Sequence, residues 1–147
     1  MLNGHSQTIL FIDGDSTDRQ RWMRALKQCE SRYTILEAPD GKSGLDVLEY
    51  GKVDCMVLEL ALPDMSGFEV LLRVLPEAGP RPTAVVVLTR LASAALTEIA
   101  VQTGAHAYLV KGETAADELH RVILDAVAKR QGQLCEKIRS VAQNMRQ

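Results

Sequence analysis

Short apolar runs, too brief and too β-branched to be helices, recur along this chain, and a helical pattern follows each one. They cover residues 9–12, 33–38, 55–60, 84–88 and 107–110. A βα alternation repeated five times predicts an α/β fold, a parallel sheet with helices on both faces. The first helix is expected to be capped by Asp15 or Ser16 and to run to about Cys29, with Trp22, Met23, Leu26 and Cys29 on its inward stripe. The second is expected over residues 43–50, behind the turn Pro39-Asp40-Gly41. The third spans about residues 67–75 and ends in a loop holding Pro76, Pro80 and Pro82, which no helix continues through. The fourth runs from about 92 to 103, closed by Gly104 as a C-terminal cap. The fifth begins near Glu113 and has no obvious stop.

With 147 residues the chain suits one domain of ordinary size. Its formal net charge of -2 argues against a general nucleic-acid-binding surface, which usually presents a clustered basic face. No apolar stretch reaches the roughly 18 residues that span a bilayer, and the polar amino terminus has no signal-peptide core, so a cytoplasmic protein without membrane contact is expected. Cys29, Cys55 and Cys135 form an odd set without metal-ligand spacing. Cys55 lies within a strand run and reads as a small core residue.

Polar residues stand where these strands end. Asp13 follows the first, Glu59 lies in the run Asp54-Cys55-Met56-Val57-Leu58-Glu59-Leu60, Thr89 follows the fourth, and Lys111 follows the fifth. In open parallel α/β sheets, ligands and chemistry gather at the carboxyl ends of the strands, beside the point where strand order reverses. Together with the turn Leu62-Pro63-Asp64-Met65-Ser66-Gly67, the hydroxyl in Val87-Leu88-Thr89 and the stretch from Gly104 through Tyr108 to Lys111, this order of groups resembles the receiver domain of two-component response regulators. The resemblance covers residues 8–130. It implies a flavodoxin-like (CheY-like) doubly wound five-stranded parallel sheet, strand order 2-1-3-4-5, with an extended C-terminal helix.

In such receivers an aspartate ending the third strand accepts a phosphoryl group from a histidine kinase. Mg2+ is held there by that aspartate, by one acid of a pair after the first strand, and by a backbone carbonyl. Here the acceptor position holds Glu59, and the acidic pair falls on Asp13 and Gly14, so Gly14 replaces the second acid. The Glu carboxylate reaches about 1.5 Å further than that of Asp, beyond the roughly 0.5 Å tolerance of a catalytic constellation. Mg2+ demands near-octahedral oxygen ligands, and phosphoryl transfer rests on positioning and charge neutralisation. Two departures at one site therefore imply no ordinary phosphorylation and no expected cofactor. Mg2+ would bind only at a functional site, through Asp13 and Glu59. Asp15 reads as a helix cap.

The resemblance also assigns readout roles. Thr89 matches the hydroxyl that turns toward the phosphoryl group, Tyr108 the aromatic that swings in behind it, and Lys111 the ammonium that pairs with the acceptor. The plainer readings are a strand terminator for Thr89 and a fixed interface aromatic for Tyr108. A Lys111–Glu59 ion pair is expected because a carboxylate at a buried strand end needs a partner to stay ionised. Gly112 stands where the family commonly has a cis proline, and a cis bond to glycine would cost about 3 kcal/mol, so a trans peptide is expected. Arg90 is placed to neutralise Glu59 or Asp13. Asp64 reads as a turn residue rather than a substitute acceptor, and His106 as a surface loop residue rather than a phosphohistidine.

The last helix carries a second pattern. Leu124, Val127, Gln131, Leu134, Ile138, Val141 and Met145 alternate in steps of three and four, the seam of a two-stranded coiled coil, although Gly132 weakens it by about 1 kcal/mol. The expected organisation is a tail over 1–7, a receiver over 8–130 and a helical extension over 131–147. That extension resembles the connector leading to an output domain in a longer protein.

The function read from these residues is a two-component receiver module that is not an enzyme. It is expected to act independently of phosphorylation by protein–protein interaction and dimerisation, with Glu59 mimicking phospho-aspartate. The expected partners are a sensor histidine kinase or an output domain and a second copy of the chain, met through helix four, strand five and helix five. One alternative is a genuine phosphoryl-accepting switch using Glu59 with an altered Mg2+ site. Another is a flavin or nucleotide binder, for which Ser16-Thr17 weakly suggests a phosphate loop but the glycine pattern is absent.

Overall fold

The computed structural model describes residues 6–74 and 83–146, apart from the side chains of Leu134 and Lys137. Its strands are β1 (Thr8–Ile12), β2 (Thr34–Ala38), β3 (Cys55–Leu58), β4 (Ala84–Thr89) and β5 (Ala107–Val110). They form one parallel sheet in the order β2-β1-β3-β4-β5. The helices are α1 (Ser16–Cys29), α2 (Gly41–Tyr50), α3 (Gly67–Val74), α4 (Ala94–Thr103) and α5 (Ala116–Met145).

Every residue of β3 and β4 is buried, because a parallel sheet flanked by crossover helices has no solvent face. Alternation along the strands splits the core in two. Ile9, Phe11, Val57, Val86 and Leu88 meet Trp22 and Leu26 of α1 and Leu119 and Ile123 of α5. On the other face Leu10, Ile12, Met56, Leu58 and Val87 meet Val70 and Leu71 of α3 and Ala100 of α4. The register pairs Ile12 with Leu58 and Leu58 with Val87, so the three central strands end side by side.

Element ends differ from the sequence expectation where a cap decides them. The Asp40 carboxylate accepts from the Ser43 N–H, so α2 starts at Gly41, two residues early. Ser93 does the same for Leu96, and α4 starts at Ala94 rather than Ala92. A 3-10 turn over Lys111–Glu113 precedes α5, which begins at Ala116. β2 begins one residue late, at Thr34. β3 ends at Leu58, not Leu60, because Glu59 and Leu60 enter the loop that returns to α3. That loop closes where the Gly67 N–H donates to the Leu60 carbonyl at 2.7 Å. A Cβ at Gly67 would lie 2.6 Å from the Glu59 carbonyl oxygen, so only glycine fits there. Gly104 ends α4 with φ of 121°, the expected cap.

Cys29, expected on the inward stripe of α1, is exposed. Trp22 and Leu26 are buried as expected, and Met23 packs against the core edge. The expected proline-rich loop over 76–82 and the first five residues of the tail lie outside the described residues.

Candidate functional site at the carboxyl edge of the sheet

Because the central strands end in register, the residues just beyond them meet. Asp13 follows β1, Glu59 follows β3, Thr89 ends β4, and Lys111 opens the turn after β5. All four are buried. The Lys111 ammonium lies at the centre, 2.6 Å from Asp13 Oδ2, 3.1 Å from Asp18 Oδ2 and 3.2 Å from Glu59 Oε1. The expected Lys111–Glu59 pair is thus one edge of a four-residue cluster. Burial works against the lysine's charge, but the Asp13, Asp18 and Glu59 carboxylates outweigh it and hold its pKa above the ordinary lysine value.

Glu59 is engaged at both oxygens. Oε1 faces Lys111. Oε2 accepts from the Leu60 N–H at 2.6 Å, from the Ala61 N–H at 3.2 Å and from the Thr89 hydroxyl. The extra methylene lets the carboxylate fold back onto its own loop while still reaching β4. Thr89 Oγ1 in turn accepts from the Leu91 N–H at 3.3 Å, and the Tyr108 hydroxyl donates to the Leu91 carbonyl at 2.6 Å. Burial and the Glu59 charge raise the Tyr108 pKa.

Asp18, in the first turn of α1, belongs to the site and was missed in the sequence reading. It lies four residues before Trp22 and eight before Leu26, and all three are buried on one stripe. An acid on a buried stripe was the available signal. Burial would raise its pKa, but hydrogen bonds from Arg90 and Lys111 bring it below the ordinary value. Arg90, expected to neutralise Glu59 or Asp13, pairs instead with Asp18 at 2.7 Å and Asp15 at 2.9 Å. The Arg90 side chain lies over α1 because those two acids stand at its amino end, while Lys111 already occupies the space between Asp13 and Glu59. Asp15 caps α1 as expected, accepting from the Asp18 N–H at 3.0 Å. Arg19, also missed, is buried and donates to the Asp13 carbonyl at 2.6 Å and to Glu37 at 2.7 Å.

An open pocket of about 590 Å³ lies above this cluster, bounded by Asp13, Gly14, Glu59, Pro63, Arg90 and Lys111. The family's Mg2+ does not fit its donor set. Asp13 Oδ1 is taken by the Asp15 N–H and Oδ2 by Lys111, Asp15 Oδ2 by Arg90, and Glu59 by four donors. Gly14 supplies no oxygen from a side chain, and a Cβ there would lie 2.8 Å from Pro63 Cδ. A cation is already in place, and it is an ammonium.

The remaining candidates lie elsewhere. Asp64 accepts from the Gly41 and Lys42 N–H groups at 2.8 and 2.9 Å, which hold its carboxyl below its ordinary pKa and make it a second cap for α2. His106 lies in the bend between α4 and β5 and is half-buried. Its Nδ1 accepts from the Val85 N–H at 3.2 Å, beside the start of β4 and away from Glu59, and burial lowers its pKa. The Lys111–Gly112 peptide is trans. Of the seam residues, Val127 is buried in the domain core, whereas Leu124, Gln131, Ile138, Val141 and Met145 are exposed. The Leu134 side chain lies outside the described residues. Among the described residues no helix is long and apolar enough to cross a membrane.

A five-stranded 2-1-3-4-5 parallel sheet, with acid, hydroxyl and lysine gathered at its carboxyl edge, defines a signal-receiving module of the two-component type. The sequence profile of the response regulator receiver domain matches residues 9–124, and the chain belongs to that family. It is 30% identical over 128 residues to the sensory/regulatory protein RpfC of Xanthomonas campestris pv. campestris, covering 86% of this chain but only 17% of RpfC. It is 28% identical over 104 residues to the two-component response regulator ORR3 of Oryza sativa subsp. indica, covering 70% of this chain and 78% of that protein. The fold matches the signal receiver domain of a putative LuxO repressor protein from Vibrio parahaemolyticus with a TM-score of 0.77 at 24% identity, covering 86% of this chain and 94% of that one. The receiver domain of the putative response regulator NarL from Mycobacterium tuberculosis matches with a TM-score of 0.75 at 24% identity, covering 84% and 98%.

Proposed function

We propose that this receiver works without phosphorylation, as a protein-interaction module whose acceptor site is held by its own side chains. The observation that carries the reading is the Glu59 carboxylate, bonded at once to Thr89, Lys111 and two backbone N–H groups. In the family those are the groups a phosphoryl oxygen would engage. Glu59 supplies one negative charge where a phosphoryl group supplies about two, and the contact to the β4 hydroxyl is made without any transfer step. Asp13 and Lys111 then serve to neutralise charge rather than to hold metal. The module catalyses no reaction of its own.

Residues 8–130 form the receiver in this reading, and 131–147 a helical extension toward an output domain. Its partners are other proteins, a kinase or an output domain, and they meet the α4, β5 and α5 face. Leu91, Ile99 and Val101 leave apolar surface there.

Titration with Mg2+, with and without beryllofluoride, tests this. Trp22 fluorescence and the amide signals of Glu59, Thr89 and Tyr108 are expected to stay still at millimolar metal, and incubation with acetyl phosphate to leave the mass unchanged. Saturable shifts at those three residues, or a phosphoryl adduct on Glu59, would overturn the reading.

A further inference from the structure

Among the described residues β5 is an edge strand, paired with β4 on one side alone. What fastens its beginning is therefore local, and it centres on His106, the residue just before the strand opens at Ala107. The His106 backbone N–H donates to the Val85 carbonyl at 2.8 Å, and its Nδ1 accepts from the Val85 N–H at 3.2 Å. One residue thus holds both backbone polar groups of Val85. The preceding Ala84 N–H is turned the other way, to the Asp54 carbonyl before β3. Val85 is buried, so its N–H has no water to turn to when the imidazole stops accepting.

A ring nitrogen accepts only while it carries no proton. With Nδ1 accepting, the neutral ring keeps its hydrogen on Nε2, and the imidazolium has N–H groups at both positions and accepts nothing. Protonation would set one N–H against another at a half-buried place. The charges around the ring come from α5. Burial first, then Arg130 and Lys129, disfavour the charged ring, and Asp125 opposes them. β4 carries no ionisable side chain, Glu98 of α4 accepts from Gln102, and Asp54 accepts from the Thr8 N–H.

We propose that His106 is an acid-released latch on the edge of the sheet: with a neutral ring it fastens the start of β5 to β4, and with a charged ring it lets that start open. Tyr108 lies in β5 and Lys111 directly follows it, so release acts on the segment that presents both. The folded ring has its pKa below the ordinary 6.5. The latch is therefore fully closed above that value and opens as pH falls through the lower folded one. It uses no residue of the Glu59 cluster, so it holds or fails independently of how the acceptor site works.

An NMR titration of the full chain from about pH 7.5 to about 4.5 tests this across the range in which histidine charges. The His106 ring and the Val85 amide are expected to shift with one common midpoint, below that of a free histidine. Over the same range the protection of the Val85 amide against hydrogen exchange, corrected for the intrinsic rate, should fall roughly fivefold, the worth of one backbone hydrogen bond. Protection of Val57, in β3, should stay constant. His106→Asn keeps a side-chain acceptor but cannot titrate, and is expected to hold the Val85 protection at every pH. His106→Phe should lose it at every pH. A ring that charges while the Val85 amide stays still would overturn the latch, as would a ring that never charges in this range. So would a His106→Asn chain whose Val85 protection falls with acid as steeply as that of the wild type.

Discussion

At Glu59 one methylene changes what the carboxylate can reach. It turns Oε2 back to the Leu60 and Ala61 N–H groups while keeping the Thr89 hydroxyl in contact. Thr89→Val keeps the volume and removes one donor to a buried charge. It is expected to cost about 1–3 kcal/mol in urea unfolding, the usual worth of a hydrogen bond to a charged group. Lys111→Met should cost more, about 3–5 kcal/mol, because three buried carboxylates then lose their shared cation. The same cluster sets an acid limit. Asp18 has its folded pKa below the ordinary 3.8, so its contribution is complete above that value and is lost as pH falls through the lower folded one. Urea midpoints measured from pH 6 downward should therefore drop below about pH 4. Arg90→Ala, which removes one cause of the lowered value, should make that drop smaller.

At the scale of elements, the loops after β3 and β4 are fixed by backbone contacts as much as by charge. Gly67→Ala would press a methyl against the Glu59 carbonyl and the Leu60 Cα at 2.6 and 2.7 Å. Neither backbone atom can move aside, so a loss of about 1–3 kcal/mol is expected from the thermal midpoint. Gly14→Asp restores the family's second acid on paper, but its Cβ meets the Pro63 ring. The variant is expected to be destabilised and to gain no Mg2+ affinity by calorimetry unless Glu59 and Pro63 are replaced too. The strand cores were legible in the sequence because β-branched runs buried on both faces leave a continuous apolar signal, as in Val85-Val86-Val87-Leu88. The ends were not, because a cap depends on where one side chain points. Ser93 and Asp40 each moved a helix start by two residues. Cys29 shared a helical spacing with Trp22, yet the end of α1 turns it out of the core.

For the whole molecule, the sheet order decides which distant residues become neighbours. The local sequence determined the βα alternation, the five strands and the identity of the residues at their carboxyl ends. Those depend on side-chain period and on which residue follows each strand. The motif resemblance also implied that Glu59 and Gly14 depart from the family pattern, since that needs only comparison with a motif. Only the tertiary structure decided the pairings. Arg90 bonds to Asp18, 72 residues away, rather than to Glu59, and Lys111 reaches Asp18 across 93 residues. The physical reason is that an ion pair belongs to the geometry between elements. Crossing β1, β3, β4 and β5 in register puts the amino end of α1 beneath the loop after β4, and no periodicity along the chain carries that distance. Val127 shows the same division. Its place in the heptad was read from spacing, but the packing of α5 on the sheet put it in the core and left Leu124, Ile138, Val141 and Met145 exposed.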